Sequence, residues 1–131
     1  FAPIKDIYKT DVWALATWRN AQAVAGGQTP PIPQRSITKE PSAELRPDQK
    51  DSDSLPDYAL LDQVLRAYVD EDHGYEALLA DGFDPELVRR VISLVDKAEY
   101  KRRQYPPGTK VSGRAFGKDR RLPMTSRWNE K

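Results

Sequence analysis

Apolar residues recur every three or four positions in four stretches of the chain, and this spacing is typical of amphipathic helices. The four stretches are 11–24, 57–71, 74–81 and 85–103. No stretch shows a convincing strand pattern, in which apolar and polar residues alternate strictly. The pattern therefore predicts a mainly α fold.

The ends of these stretches carry residues that favour helix capping. Thr10 is the predicted N-cap of the first helix, and Gly26 is expected to end it. Asp84 is the predicted N-cap of the last helix, with Pro85 in the first turn, where its fixed φ suits a helix. Gly82 is expected to close the short third helix. The buried stripe of the last helix is expected to contain Leu87, Val88, Val91, Leu94, Val95 and Ala98.

The segment 28–56 contains six prolines. Proline has no backbone N–H donor and its ring clashes with the preceding turn, so a continuous helix or a central strand is excluded there. Long connections without regular structure are often functional lids. We therefore expect 28–56 to form a lid loop.

The apolar stripes are narrow for a chain of 131 residues. We expect the helices to pack against a further surface or against another copy of the chain. The predicted state is a homo-oligomer.

Composition narrows the class of protein. The chain is 31% charged and has no cysteine, which excludes disulfides, zinc thiolate sites and thiol nucleophiles within it. No apolar run approaches the roughly 20 residues that a membrane helix needs. These features predict a cytoplasmic protein with no membrane partner.

The charge is distributed unevenly. Residues 1–100 hold 11 Lys/Arg and 18 Asp/Glu, whereas residues 101–131 hold 10 Lys/Arg and 2 Asp/Glu. A basic tail favours polyanions or acidic surfaces as partners. One alternative function is thus a nucleic-acid-binding module that uses this tail, although the acidic body makes nucleic acid an unlikely partner. Its phosphate contacts would come from Arg120, Arg121, Arg127 and the cluster 101–103, and Phe116 and Trp128 could stack on bases.

Four short runs carry charged or hydroxyl-bearing residues that are candidates for a binding role. They are FAPIKDIYKT with Lys9, PSAEL with Ser42, QKDSDSLP with Ser54, and EYKRR with Tyr100 and Lys101. A lysine at the start of a helix is disfavoured by the helix dipole, which hints at a binding role for Lys9. The same dipole favours cations in the last turn, so Lys101 on its own is equally explained as a helix-end cation.

Taken in this order and spacing, these runs resemble the NAD⁺ synthetases, and most closely the glutamine-dependent form. The resemblance extends over about residues 1–128 and includes the tail run RLPMTSRW. It implies that the chain is the helical C-terminal fragment of an α/β, adenine-nucleotide α-hydrolase-like (Rossmann-like) synthetase domain. Its implied parts are a first helix with the ATP-site lysine (1–27), the lid loop (28–56), a helical segment (57–104) and the basic tail (105–131).

The resemblance also implies roles for individual residues. Lys9 and Ser42 correspond to ATP-binding positions, while Lys101, Ser54 and Tyr100 correspond to positions that bind deamido-NAD⁺. The chain departs from ammonia-dependent relatives in three of them. Ser42 stands in place of threonine, Tyr100 in place of histidine, and Ser54 in place of an acidic residue.

The implied reaction is the amidation of deamido-NAD⁺ to NAD⁺. ATP would activate the carboxylate as an adenylate, with Mg²⁺ present, and glutamine would supply ammonia through a glutaminase portion of the same protein. The sequence has neither an SGGxDS phosphate loop nor a cysteine. We therefore expect no catalytic residue, no metal site, no bound cofactor and no activity in this fragment alone, and we expect the remaining synthetase and glutaminase portions to precede it. Another ATP pyrophosphatase is the second alternative.

Overall fold

The computed structural model describes residues 1–42, 46–51, 55–115 and 117–125. Over these residues the chain is helical and has no strand, as the apolar spacing predicts. The helices are α1 (Lys9–Ala25), α2 (Gln34–Thr38), α3 (Tyr58–Leu65), a π-helical turn (Arg66–Asp70), α4 (Tyr75–Ala80), α5 (Pro85–Lys97) and α6 (Glu99–Gln104). No helix within the described ranges is long and apolar enough to cross a membrane.

The chain divides into two compact units. One unit combines Phe1–Ile7 with Ala59–Lys131, and the other is Tyr8–Tyr58. The division does not follow the four consecutive segments implied by the resemblance, because the first seven residues belong with the C-terminal part. Each unit is described separately below.

In the Tyr8–Tyr58 unit, α1 begins one residue earlier than Thr10. The capping position is Tyr8, whose extended backbone leads into the helix and whose side chain makes no capping bond. The prediction that Thr10 caps the helix is therefore wrong, because Thr10 already has helical backbone geometry. Gly26 ends the helix as predicted, and Gly27 follows with φ 70°, a left-handed conformation that glycine adopts without strain.

Several apolar side chains of α1 remain exposed. Ala23 is its buried residue, whereas Leu15, Trp18 and Val24 are 47%, 56% and 61% exposed. The apolar side that the sequence predicts for this helix is thus only partly buried within the chain. This agrees with the expectation that its helices pack against a further surface.

The proline-rich segment is more ordered than the sequence predicts. Residues Gln34–Thr38 form the short helix α2, with Pro33 at its N-cap. The side-chain amide of Asn20 on α1 donates to the carbonyl of Ile32 at 2.8 Å and accepts from the Ile32 N–H at 3.0 Å. Proline is tolerated at the start of a helix, so the prolines limit α2 to five residues without abolishing it.

In the other unit, the predicted helix over 57–71 changes its geometry halfway. α3 ends at Leu65 and continues as a π-helical turn, in which the Glu71 N–H bonds to the carbonyl of Arg66 at 3.1 Å. The additional residue per turn brings three consecutive side chains into the core, Ala67, Tyr68 and Val69. A strict helical period could not predict this run.

Helices α4 and α5 pack against each other and complete the core. The Asp84 carboxylate accepts from the Leu87 N–H at 2.8 Å, so the predicted cap is confirmed. Gly82 has φ 91° and ends α4, also as predicted. Val88, Val91 and Val95 are buried as expected, and Ile92 is a buried residue outside the predicted stripe. Leu94, a predicted stripe residue, is 41% exposed.

The predicted helix over 85–103 is divided at Ala98. Its N–H is shared between the carbonyls of Leu94 and Val95, at 3.1 and 3.2 Å, which tightens the turn. The Val95 carbonyl also accepts from Arg102 Nη1 at 2.5 Å, so a side chain of the next helix bonds to this turn. The chain then starts a new helix, α6, at Glu99.

The N-terminal seven residues are held by the C-terminal tail. The buried Asp6 carboxylate accepts from the backbone N–H groups of Val111 and Ser112 at 2.9 and 3.0 Å, and from the Ser112 hydroxyl at 2.7 Å. The Thr109 hydroxyl donates to the Pro3 carbonyl at 2.6 Å. These bonds join segments more than one hundred residues apart in the sequence.

Candidate functional site

Lys9 lies in the first turn of α1 and contacts an aromatic ring. Its Nζ is 5.4 Å from the ring centroid of Trp13, one helical turn along the same face. Trp13 in turn meets the Tyr58 ring edge-on at 5.7 Å, and the Tyr58 hydroxyl donates to Asp51 Oδ2 at 2.7 Å. This chain of contacts connects the predicted ATP lysine to the end of the proline-rich segment.

A cavity of about 350 Å³ opens beside these rings in the same unit. Its lining combines two aromatic side chains with both signs of charge. The lining residues are Trp13, Ile37, Thr38, Lys39, Glu40, Pro41, Asp51, Pro56, Asp57 and Tyr58. Flat rings with a few polar groups are typical of small-molecule pockets, in which the polar groups fix the orientation of the ligand.

Ser42 lies in a second cavity of the same unit, with a volume of about 420 Å³. This cavity shares Lys39 and Glu40 with the first, and three cations line it, namely Lys39, Arg46 and Lys50. Lys50 is 2.8 Å from Glu40, so part of that charge is compensated. A hydroxyl beside several cations can donate to a phosphate oxygen, which is the role expected for Ser42.

The predicted dinucleotide residues belong to the other unit. Lys101 is exposed on α6, and Tyr100 next to it is 50% exposed. Ser54 lies outside the described residues. The structure therefore brings Lys9 and Ser42 into one unit and places Lys101 and Tyr100 together on one short helix of the other.

Sequence reasoning missed the ion pairs that hold α6. Glu99 is 3% exposed, and its carboxylate accepts from Arg102 Nη2 at 2.9 Å and from Arg103 Nε at 2.8 Å. Arg121 of the tail stands 3.7 Å away. The spacing of Glu99 from Arg102 and Arg103, three and four residues along a helix, was the signal that could have identified these pairs. The basic run EYKRR is thus partly structural.

The charge state of Glu99 follows from these contacts. Burial by itself raises the pKa of the Glu99 carboxyl, but the hydrogen bonds from Arg103 and Arg102 outweigh burial and hold its pKa below the ordinary value. Glu99 is therefore ionised at neutral pH. Its negative charge compensates the guanidinium groups that flank Lys101.

A second buried contact fixes the tail against the core. Arg120 lies over the ring of Tyr68, 4.1 Å from its centroid, and donates to the Tyr68 hydroxyl. The same guanidinium stands 3.3 Å from Asp96 Oδ1 on α5. Arg120 is thus engaged in the interior of the unit.

No group of three or more His, Cys, Asp or Glu residues within the described ranges is arranged to hold a metal ion. The groups near Lys9 and Ser42 that suit phosphate among these residues are lysine, arginine and hydroxyl groups.

Comparison with known proteins shows the family to which the chain belongs. The NAD synthase family model matches residues 1–105. The chain therefore belongs to the NAD synthase family.

The individual proteins that the chain resembles carry a more specific name than the family. The chain is 53% identical over 128 residues to a glutamine-dependent NAD(+) synthetase of Acinetobacter baylyi, covering 98% of this chain and 23% of the relative. It is 47% identical over 128 residues to the enzyme of the same name from Aquifex aeolicus, covering 98% of this chain and 22% of the relative. It thus spans about a fifth of the length of the relatives it matches.

The chain is also similar to a solved structure of an enzyme with this name. Glutamine-dependent NAD⁺ synthetase from Acinetobacter baumannii, determined in complex with ADP, matches with a TM-score of 0.56 and 42% identity. The match covers 96% of this chain and 20% of that one.

Proposed function

We propose that the chain is the C-terminal part of a glutamine-dependent NAD⁺ synthetase, which amidates deamido-NAD⁺ to NAD⁺. The observation that carries the proposal is the 53% identity over nearly the whole chain to an enzyme of that name. In this reaction ATP converts a carboxylate, a poor electrophile, into an adenylate, and ammonia from glutamine displaces AMP. The remainder of the protein would provide the α/β fold and the phosphate loop. The complete enzyme would be a cytoplasmic homo-oligomer.

Lys9 and Ser42 are the ATP residues in this proposal. A fixed ammonium group stabilises negative charge that develops on departing pyrophosphate, because the interaction strengthens as the charge grows. The contact with Trp13 holds the Lys9 side chain along α1. The cations around Ser42 add to the positive field of its cavity.

Lys101, Tyr100 and Ser54 are the proposed deamido-NAD⁺ residues. The exposed ammonium group of Lys101 can pair with a phosphate or carboxylate of the dinucleotide. Tyr100 offers an exposed ring beside it. The ion pairs of Glu99 with Arg102 and Arg103 support this use, since they occupy the neighbouring cations and leave Lys101 outside them.

Mg²⁺ is expected in the complete enzyme, bound to ATP and to residues outside this chain. The described residues do not provide a metal site, so no step is assigned to the ion here. For the same reason, and because no SGGxDS loop is present, we expect residues 1–131 alone to form no NAD⁺.

The nucleic-acid alternative is weakened by the contacts of the tail. Lys101 and Arg121 are exposed, but Arg120 is engaged with Tyr68 and Asp96. Arg102 and Arg103 are paired with Glu99. Phe116, Arg127 and Trp128 lie outside the described residues. A protein that binds nucleic acid would need these cations on its surface to meet phosphates.

The reaction products test the proposal. The intact protein is incubated with deamido-NAD⁺, ATP, Mg²⁺ and glutamine, and the nucleotides are separated by chromatography. We expect NAD⁺, AMP and pyrophosphate in equal amounts, and no NAD⁺ when both glutamine and ammonia are omitted. Cleavage of ATP to ADP and phosphate, or no amidation of deamido-NAD⁺, would contradict it.

A further inference from the structure

We propose that a basic pocket between the N-terminal segment, α6 and the tail binds a phosphate-bearing anion, of the size of pyrophosphate or a nucleoside monophosphate. This tail pocket has a volume of about 500 Å³ and lies entirely within the unit that contains residues 59–125. Six cations line it, Lys5, Arg102, Arg103, Lys110, Lys118 and Arg121, against two carboxylates, Asp6 and Asp119. Lys101 is not among the lining residues, and the proposal does not depend on the synthesis of NAD⁺.

The two carboxylates are already bound by other groups. Asp6 Oδ2 accepts three hydrogen bonds from Val111 and Ser112, at 2.7 to 3.0 Å. Asp119 Oδ2 accepts from the Ala115 N–H at 3.0 Å and from Lys110 Nζ at 2.5 Å. The six lining cations face these two carboxylates and the neighbouring Glu99, which pairs with Arg102 and Arg103. The pocket therefore carries a net positive charge.

Several cations keep donors available for a ligand. An ammonium group has three N–H donors, and Lys5 uses one of them on the Pro106 carbonyl at 2.9 Å. Lys118 is exposed, and within the described ranges its side chain forms neither a hydrogen bond nor an ion pair. Arg121 stands 3.7 Å from Glu99, too far for a good hydrogen bond. Phosphate oxygens accept such charge-assisted bonds with both good geometry and high strength.

Lys5 is also held in position before any ligand arrives. Its Nζ is 5.8 Å from the ring centroid of Tyr105, in addition to its bond to Pro106. On the other side lies Gly117, where an added Cβ would stand 3.1 Å from Lys5 Cε and 3.5 Å from Nζ. The glycine thus leaves the space that the lysine side chain occupies. A pre-positioned cation loses less conformational entropy on binding.

The size and charge of the pocket favour a small phosphate anion over a polymer. Its volume lies in the range of small-molecule sites, about 300 to 1,000 Å³. The other two described tail arginines, Arg114 and Arg120, are paired with Asp72 and Asp96. A nucleic acid would need an extended basic surface. One or two phosphate groups fit the four cations with available donors, Lys5, Lys110, Lys118 and Arg121.

The test is calorimetric titration of the intact protein with inorganic pyrophosphate, inorganic phosphate and AMP in separate experiments. The protein is first saturated with ADP, the ligand of the complex determined for the relative from Acinetobacter baumannii. We expect one remaining site for at least one of the three anions. The anion with the lowest Kd shows which of the three kinds of phosphate compound the pocket prefers. Added salt should weaken the binding of that anion.

Three variants locate that site. Lys118→Gln combined with Arg121→Gln should raise the Kd at least about tenfold, since charge-assisted bonds are lost. Gly117→Ala should also raise it, because the added methyl group displaces Lys5. The control is Lys97→Gln, an exposed lysine on α5 outside the pocket, which should change the Kd less than about twofold because distant surface charges are screened.

Three results would overturn the proposal. They are the absence of any site for the three anions once ADP is bound, an unchanged Kd in the double variant, and competition with deamido-NAD⁺. Competition would assign the pocket to the dinucleotide instead. Failure of the NAD⁺ synthesis assay would leave this test unaffected, because it measures binding in the absence of turnover.

Discussion

Glu99 and Arg102 form a buried ion pair within α6, in which Arg102 Nη2 and Nε donate to Glu99 Oε2 at 2.9 and 3.2 Å. The two side chains are 3% and 5% exposed. Arg102 also reaches back to the Val95 carbonyl, and Arg103 donates to the other Glu99 oxygen. The pair thus connects the break after α5 to the helix that carries Lys101.

Replacement of Glu99 by alanine should destabilise the fold strongly. It leaves the guanidinium of Arg102 buried without its carboxylate, a change that typically costs about 3–5 kcal/mol. Urea unfolding followed by circular dichroism measures the free energy of unfolding. Lys110→Ala is the comparison, because it removes a half-exposed ion pair with Asp119, and such pairs contribute about 0–1 kcal/mol. Equal losses in the two variants would contradict a special role for the buried pair.

The stabilising effect of Glu99 should depend on pH. Its pKa is lower in the folded protein than its ordinary value of 4.5, so its contribution is complete above that value and is lost as the pH falls through the lower, folded pKa. The difference in unfolding free energy between the wild type and Glu99→Gln should therefore be constant near neutral pH and shrink below pH 4.5. Unfolding titrations at a series of pH values measure this difference. A difference that stays constant to the acid limit would show that the charge of Glu99 is not what stabilises α6.

In the intact enzyme, Lys9→Ala and Lys101→Ala should affect different kinetic parameters. Lys9 acts most strongly as pyrophosphate charge develops, so its loss should lower kcat and slow adenylate formation. Lys101 should contribute to recognition of the dinucleotide, and its loss should raise the KM for deamido-NAD⁺ about 10- to 150-fold, the value of a charge-assisted bond of about 1.5–3 kcal/mol. Steady-state and single-turnover kinetics separate the two effects.

The control for this pair is Lys97→Ala, an exposed lysine one turn before Lys101. It should leave kcat and the KM for deamido-NAD⁺ nearly unchanged. If Lys97→Ala and Lys101→Ala raise that KM equally, the effect is one of general surface charge, and the substrate site lies elsewhere.

Two glycines with open surroundings should respond differently to alanine. No atom lies within 4 Å of an added Cβ at Gly82 or at Gly113, but Gly82 has φ 91° and Gly113 has no positive φ. Gly82→Ala should cost about 1–2 kcal/mol from backbone strain alone. Gly113→Ala should be neutral or stabilising by about 0.4–1 kcal/mol, because it restricts the unfolded chain. Thermal unfolding measures the melting temperature of each variant. Equal melting temperatures would show that the alanine at position 82 causes no backbone strain.

Short motifs of the sequence indicated the family and gave hypotheses about the site. FAPIKDIYKT and EYKRR marked Lys9 and Lys101 as candidate binding residues, and through the resemblance they indicated the family. The sequence did not reveal that Asp6 of the first motif is a buried acceptor for the tail, since its partner Val111 is 105 residues away. The spacing of Glu99 and Arg102 is compatible with an ion pair, but it gave no sign that the pair is buried. A motif reports which groups are present, whereas burial depends on which segments meet.

The sequence by itself determined the local features of this protein. Asp84 caps α5 and Gly82 ends α4, because each depends on backbone groups within a few residues. The tertiary structure alone decided the division at Ala98, the π-helical turn and the attachment of the tail to the first seven residues. The physical reason is the range of the interactions. A cap or a helical period is encoded by neighbours three or four positions apart, whereas the burial of a side chain and the attachment of the tail depend on which distant segments meet.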